Sequence, residues 1–212
     1  MKMVAIGFAT ALALPATAQA AAFMNGDFET GTNPAGYFFT VDSSSDAITG
    51  WTVTSGTVQY KGGYWQAGDG NRSIDLNGIS TGALAQTFDT VAGTTYTVNF
   101  MLAGNPDGGP ALKTLEVGAN GNAAQQYTFD VTGFSRTEMG WEDHSYIFTA
   151  AGASTTLSFA SLTDGEFYGP ALDGVTVTAL PVPEPAVWAL MLTGFALVGT
   201  NMRRRHRMVQ FA

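Results

Sequence analysis

The stretch TTYTVNFML, residues 94–102, carries the clearest fold signal in this chain. Tyr96, Val98 and Phe100 occupy every second position, and small or polar residues stand between them. Successive side chains of a β-strand point to opposite faces, so this period of two places the three large side chains on one face. The stretch therefore predicts a β-strand with one buried side.

The same alternation recurs on both sides of this strand. The segments that show it are 49–54, 57–60, 73–76, 83–88, 112–117, 126–131, 141–148, 155–159 and 172–178. Glycine-rich turns separate them, and Ser55-Gly56 predicts a hairpin or a bend between the first two. About ten short strands without a segment of helical period predict an all-β fold, an antiparallel jelly-roll β-sandwich.

The composition of residues 21–180 limits the functions open to this region, which has the size of one domain. It holds sixteen acidic side chains against four basic ones, an excess of twelve negative charges. Such a surface repels phosphate backbones, so nucleic acid is excluded as a partner, whereas calcium is a suitable ligand. The chain has no cysteine, which excludes disulfides, thiolate metal sites and a cysteine nucleophile.

The C-terminal segment 181–212 differs from everything before it. Its prolines cannot join a helix or a sheet ladder, so they separate the domain from the residues after them. Residues 186–202 carry no charge, and about 17 helical residues span about 25 Å, short but workable for a bilayer core of about 30 Å. The run predicts one transmembrane helix. The alternative is an amphipathic helix of the domain, which an apolar run on all faces does not favour.

The N-terminal residues 1–20 predict a signal peptide. Lys2 supplies a positive charge, residues 4–14 are apolar, and Ala18-Gln19-Ala20 matches the small-residue pattern that signal peptidase cleaves. An uncleaved N-terminal anchor is the alternative. The apolar run is too short to span a bilayer, and Pro15 interrupts it.

The C-terminal segment resembles the PEP-CTERM sorting signal of bacterial proteins. The residues that carry the resemblance are Val182, Pro183, Glu184, Pro185, Trp188, Gly194, Phe195, Arg203, Arg204, Arg205 and Arg207. The resemblance implies recognition at Pro183-Glu184-Pro185 and cleavage by an exosortase, a membrane-embedded protease. It also implies transient anchoring in the inner membrane, then delivery to the cell surface or extracellular matrix of a Gram-negative bacterium.

The domain itself resembles the galactose-binding-like jelly rolls, in particular the choice-of-anchor C proteins and their plant cell-wall relatives. The motifs are Asn25-Gly26-Asp27-Phe28-Glu29, Gly50-Trp51, Gln86-Thr87-Phe88, residues 92–100, Trp141 with residues 146–148, and residues 171–177. Many carbohydrate-binding modules share this layout. The resemblance implies a domain that binds polysaccharide or is embedded in it.

The same layout implies a structural calcium site. In such sandwiches the first and last strands are neighbours, which brings Glu29 close to Asp173, and Asp27 contributes a further carboxylate. Carboxylate oxygens are the ligands that calcium prefers. The alternative is that these residues are ordinary solvated acids at strand ends.

A loop rich in glycine and polar residues is the predicted carbohydrate site. Aromatic rings stack on the apolar face of a sugar, while amide and carboxylate groups hold its hydroxyls. The predicted residues are Tyr60, Tyr64, Trp65, Gln66, Asp69 and Asn71, and Phe167-Tyr168 is a second candidate. The alternative for each ring is a place in the core, which is the prediction for Trp51 and Trp141.

Catalysis is not predicted. The domain has one histidine, His144, between acidic and polar neighbours, and strand alternation predicts that Glu142 and His144 lie on a solvent-facing edge. Neither a G-x-S-x-G nor an H-E-x-x-H motif is present. The sequence thus predicts a polysaccharide-associated protein. The alternatives are a structural matrix or adhesion component without a discrete ligand and, less favoured, an enzyme acting on glycans.

Overall fold

A computed structural model of the chain describes residues 22–32, 37–181, 190–199 and 203. In chain order the strands are β1 (Phe38–Val41), β2 (Thr52–Ser55), β3 (Val58–Gly62), β4 (Arg72–Asp75), β5 (Ala83–Asp89), β6 (Thr95–Gly104), β7 (Leu112–Ala119), β8 (Gln125–Asp130), β9 (Glu142–Thr149), β10 (Ser154–Ser161) and β11 (Pro170–Ala179).

The strands form two antiparallel sheets packed face to face. One sheet has six strands in the order β1-β3-β4-β11-β6-β9, and the other has five in the order β2-β5-β10-β7-β8. Every strand pair is antiparallel. The predicted antiparallel β-sandwich is confirmed.

The core lies between the sheets and follows the alternation of the sequence. In β6, Tyr96, Val98 and Phe100 are at most 9% exposed, as the period of two predicts. Trp51 is buried as predicted and lies against Phe28 and Phe159 in the same cluster.

Two features of the topology were not apparent from the sequence. Ser55-Gly56 is the bend between β2 and β3, which belong to different sheets, so the chain crosses the sandwich there and forms no hairpin. Strand β1 was missed, because FFTV is short and lacks alternation. Its pairing with β3 at the edge of the six-stranded sheet makes it a strand.

Loops cover part of the outer face of the six-stranded sheet. Tyr60 and Ile74 face the core, so their neighbours Lys61 and Asp75 face away from it, yet these two are only 2% and 0% exposed. The indole of Trp65, in the loop after β3, donates a 2.7 Å hydrogen bond to Ser73 Oγ on this face. This covered face positions the candidate functional site.

Residues 190–199 are helical, and Arg203 is an exposed helical residue. No helix within the described ranges is long and apolar enough to cross a membrane. The predicted signal peptide, the motif residues Val182 to Pro185, and Arg204 and Arg205 lie outside the described residues.

Candidate functional site

Gln66 joins two loops over the six-stranded sheet. Its backbone N–H donates to Arg136 O (2.7 Å), and its side-chain Oε1 accepts from the N–H of Met139 (3.2 Å). Its backbone oxygen accepts from the indole Nε1 of Trp141 (2.9 Å). These three bonds fix the loop after β3 against the segment that leads into β9.

A groove of about 360 Å³ lies where these loops meet the sheet. We call it the Trp141 groove, and it is lined by Gln66, Ala67, Gly68, Met101, Glu138, Gly140, Trp141 and Asp143. Asp143 lies on the outward face of β9, the same face as Met101, with which it pairs across the sheet. The next residue, His144, lies on the inward face.

Glycines shape both sides of this groove. Gly140 has a φ of +69°, a conformation that favours glycine, and the Phe134 ring packs against it so closely that a Cβ would lie 2.2 Å from Phe134 Cε1. A Cβ on Gly68 would lie 2.8 Å from Met101 Sδ and 3.1 Å from Trp141 Cδ2. The backbone can therefore come close to the Trp141 ring.

The Trp141 groove combines the groups that bind a sugar. Trp141 is half-buried and packs against the core cluster, so its ring is held in place while part of it faces the groove. The carboxylates of Glu138 and Asp143 are exposed beside it, as is Gln66. An aromatic surface flanked by hydrogen-bond acceptors can stack on a pyranose and accept bonds from its hydroxyls.

Two of the predicted stacking rings are buried instead. Tyr60 is 0% exposed, its hydroxyl donates to Phe28 O, and it accepts a 2.8 Å bond from Arg72. Trp65 is 5% exposed and bound to Ser73. Because neither ring offers a free face, the structure corrects their predicted role: Tyr60 packs in the core between the sheets, and Trp65 holds the loop after β3 onto the outer face.

Tyr64 is half-buried, and cations occupy its ring. Lys61 Nζ lies 4.5 Å and Arg136 Cζ 4.2 Å from the ring centroid. The Tyr64 hydroxyl donates to Asp107 Oδ2 (2.8 Å), and Asp107 Oδ1 accepts from Arg136 Nε (2.7 Å). Partial burial acts to raise the pKa of Asp107, but the bonds from Arg136 and Tyr64 outweigh it and leave that pKa lowered.

The remaining predicted residues of this loop are exposed. Gln66 lines the Trp141 groove, whereas Asp69 lines a different groove of about 420 Å³, together with Asp27 and backbone of β11. Asn71 is exposed, and its backbone N–H is bonded to Glu29. The structure thus places Gln66 and Asp69 at separate grooves.

Two of the predicted metal residues, Asp173 and Glu29, bind the backbone of one loop at its two ends. Asp173 Oδ2 accepts from the N–H groups of Gly68 (2.8 Å) and Asp69 (3.0 Å). Glu29 Oε1 accepts from those of Asn71 and Arg72, both at 2.6 Å. We call residues 68–72 the clamped loop. The two carboxylates therefore hold opposite ends of the clamped loop.

Asp173 also accepts from the N–H of Gly174 at 2.7 Å and is 0% exposed. Burial raises its pKa to about 7 against the opposing effect of these backbone bonds. Asp27 is exposed and lies in the segment beside β11, where Gly26 O accepts from Val175 N–H. Within the described ranges, no three His, Cys, Asp or Glu side chains gather as metal ligands.

His144 was predicted to face solvent, and this prediction is wrong. Its ring stacks on Phe100, with centroids 5.7 Å apart, and packs edge-on against Tyr127. Its Nε2 lies 3.5 Å from Glu142 Oε2. The reason is that His144 pairs with Phe100 across the sheet, so it lies on the inward face of the edge strand β9.

Trp141, Glu138 and Asp143 were missed as site residues. Trp141 was predicted to be in the core because it stands in the alternating segment 141–148, but its ring is half-buried and lines the Trp141 groove beside Gly68 and Met101. Phe167 has a φ of +67°, and Phe167 and Tyr168 are about one-third exposed. Strand alternation offered a signal for Trp141, because it places Trp141 and Asp143 on the face opposite Glu142 and His144, and Trp141 and Asp143 both line the groove.

Fold and groove together define an acidic antiparallel β-sandwich with a tryptophan-lined groove on one sheet. Residues 21–178 match the family described as "Protein of unknown function (DUF642)". The chain belongs to this family.

A curated relative is halomucin of Haloquadratum walsbyi (strain DSM 16790 / HBSQ001), 29% identical over 185 residues. The match covers 80% of this chain and 2% of that protein, so the chain corresponds to a small part of it.

Several solved carbohydrate-binding modules are remotely similar. A family 35 module from Clostridium thermocellum has 14% identity and a TM-score of 0.45, over 66% of this chain and 98% of that one. The TmCBM61 module, solved with β-1,4-galactotriose, has 14% identity and a TM-score of 0.44, over 76% and 99%. Likeness at this level is too distant to assign a ligand or a site to this chain.

Proposed function

We propose that this protein is an exported surface or matrix protein whose β-sandwich binds polysaccharide in the Trp141 groove. The observation that carries the proposal is the half-buried Trp141 ring, fixed by its bond to Gln66 and flanked by two exposed carboxylates. A sugar that stacks on this ring buries apolar surface against it. Its hydroxyl groups can donate hydrogen bonds to the carboxylates of Glu138 and Asp143.

Binding of the purified chain to a panel of soluble polysaccharides, measured by affinity electrophoresis and calorimetry, tests this proposal. We expect Trp141→Ala to abolish binding, because the stacking surface is lost. Trp141→Phe retains a smaller ring without the bond to Gln66, so it should bind with intermediate affinity. Ile147→Ala removes an exposed apolar side chain from β9, the strand that follows Trp141, and should leave affinity unchanged.

A structural component without a discrete ligand is the competing function. It would give no saturable binding to any polymer, or binding that Trp141→Ala does not change. Either result, with an unchanged thermal unfolding curve, rejects the groove as a glycan site. We do not assign catalysis: the ring of His144 packs on Phe100 and Tyr127 at the inward face of β9.

Export and sorting are part of the same proposal. Residues 1–20 act as a signal peptide cleaved by signal peptidase, and residues 181–212 act as a PEP-CTERM tail read by exosortase. The helix at residues 190–199 supports membrane contact, because Leu190, Leu192 and Phe195 are 68–78% exposed. Apolar side chains on a helix with this exposure gain most from a lipid environment. As a further part of the proposal, the domain belongs to the galactose-binding-like jelly rolls of the choice-of-anchor C kind.

Calcium is proposed as a structural ligand near the clamped loop. The donors proposed for it are the carboxylates of Glu29, Asp173 and Asp27, the ligand type that calcium prefers. In the described residues these side chains do not gather as a set of three, so binding would require them to approach one another. Asp173 is buried and ionises at a cost, which a bound cation would offset. In this role the ion would tie the N-terminal segment to β11 and take no part in glycan chemistry.

A further inference from the structure

We infer that the Trp141 groove selects neutral, hydroxyl-rich polysaccharides and rejects polymers that carry carboxylates. This inference rests on the proposed polysaccharide binding and adds the class of ligand to it. It depends on the charges around the groove and on the positions of the four basic side chains of the domain.

The groove itself is lined by negative charge. Glu138 lies on the segment before β9 and Asp143 lies on β9, so exposed carboxylates come from two different elements of the groove wall. A sugar carboxylate that entered would approach like charges without a compensating base. Hydroxyl groups, in contrast, donate hydrogen bonds to carboxylates and are favoured there.

Two of the four basic side chains of the domain are buried and out of reach of an acidic sugar. Lys61 and Lys113 are 2% and 0% exposed. Lys113 Nζ donates to Gly108 O and Tyr168 O, and Lys61 lies among the rings of Phe38, Tyr64 and Trp65. Both lysines are therefore used inside the domain to hold loops.

The two arginines are also engaged. Arg72 is half-buried and donates to the hydroxyl of Tyr60. Arg136 is the only basic side chain within residues 22–32 and 37–181 that is exposed, and its Nε bonds Asp107 while its guanidinium lies over Tyr64. Asp107 neutralises it locally, so a sugar carboxylate arriving there meets an existing ion pair.

The field of the whole domain acts in the same direction. Residues 21–180 carry an excess of twelve negative charges, and a polyanionic polymer is repelled before it reaches the groove. This long-range part is screened by salt, whereas the contacts inside the groove are screened less. Ionic strength can therefore separate the two contributions.

The test compares one polymer in two charge states. A neutral hexose polymer that binds the purified chain is oxidised at C6 to carry carboxylates, and both forms are titrated with EDTA present to exclude calcium bridging. We expect the oxidised form to bind at least about tenfold more weakly, with the difference reduced but not abolished by added salt.

Two double variants with equal net charge locate the effect. Glu138→Gln with Asp143→Asn should restore much of the affinity for the oxidised polymer. Asp164→Asn with Glu166→Gln removes two exposed carboxylates that do not line the groove and should restore little. Equal restoration by both pairs would assign the selectivity to the overall field and overturn its placement in the groove.

The remaining outcomes are distinct. Equal or tighter binding of the oxidised form, or binding only to acidic polymers, overturns the neutral-glycan inference and leaves polysaccharide binding intact. If no polymer binds, the proposed function itself fails, and the inference fails with it.

Discussion

Asp75 is the residue on which several loops of the domain depend. It is fully buried, and its Oδ1 accepts from the N–H groups of Asn77 (3.0 Å) and Gly169 (3.1 Å). Its Oδ2 accepts from Asn105 Nδ2 (2.8 Å) and lies 3.7 Å from Lys61 Nζ. These partners lie on β3 and on three separate loops. A single carboxylate therefore holds the three loops together at one end of the sandwich.

The ionisation of Asp75 should make stability depend on pH. Burial raises its pKa to about 6, against an ordinary value of 3.8, in spite of the opposing charge of Lys61. Between these values the unfolded chain loses the proton while the folded one keeps it. The contribution of Asp75 to stability is therefore fully present below about pH 4 and is lost as pH rises through 6, by an amount on the order of 3 kcal/mol.

Asp75→Asn tests this pH dependence, because the amide is neutral throughout. We expect the wild-type free energy of unfolding, relative to the variant, to fall between pH 4 and pH 7 in urea denaturation. Asp164→Asn, which removes an exposed carboxylate, controls for the change in net charge. Parallel curves for wild type and Asp75→Asn across this range would contradict the assignment.

At the scale of elements, the clamped loop is the feature that links the N-terminal segment to the last strand. Glu29 comes from the segment before β1 and Asp173 from β11, and together they bind four backbone N–H groups of residues 68–72. The loop closes a short gap between β3 and β4. Its conformation therefore depends on residues more than 40 positions away in either direction.

Glu29→Ala should release one end of the clamped loop only. The amides of Asn71 and Arg72 lose their acceptor, and their hydrogen exchange should accelerate by about tenfold or more, since a bond to a charged group contributes about 1.5–3 kcal/mol. The amides of Gly68 and Asp69 should keep their protection, which Asp173→Ala would remove instead. Uniform acceleration of all four amides would show that the two ends are not held separately.

Calcium chelation tests the metal proposal at the same element. We expect EDTA to lower the melting temperature of the purified chain, because the ion would join the N-terminal segment to β11. Asp173→Ala should abolish this sensitivity. A melting temperature that is the same with and without EDTA would reject the ion.

On the scale of the whole molecule, charge and apolar surface are separated along the chain. The acidic β-sandwich occupies the region that matches the DUF642 family, and the exposed apolar helix lies beyond it. The proposed export and membrane contact require such a division.

The intact mass of the native protein tests this division. We expect the product recovered from the cell surface or matrix to lack residues 1–20 and most of residues 181–212, because signal peptidase and exosortase remove them. Substituting Pro183-Glu184-Pro185 by alanines should leave the tail attached in the membrane fraction. Recovery of the full-length chain from the cytosol would contradict export.

Most strands and much of the core could be predicted from the sequence. A period of two is a local property, so the alternation along segments such as 94–102 specified ten of the eleven strands and the buried rings of β6. The acidic charge and the distinct ends were equally visible, because composition does not depend on contacts.

Which aromatic rings face a groove depends on packing between segments that are distant in the sequence. Tyr60 and Trp65 were predicted to be exposed and are buried, since partners distant in sequence or on another strand cover them. Trp141 was predicted to be in the core and is half-buried at the groove. The Trp141 groove combines residues 66–68, Met101 and residues 138–143, which only the pairing of strands and loops brings together. Local pattern sets which side chains alternate, but long-range packing sets which of them are covered.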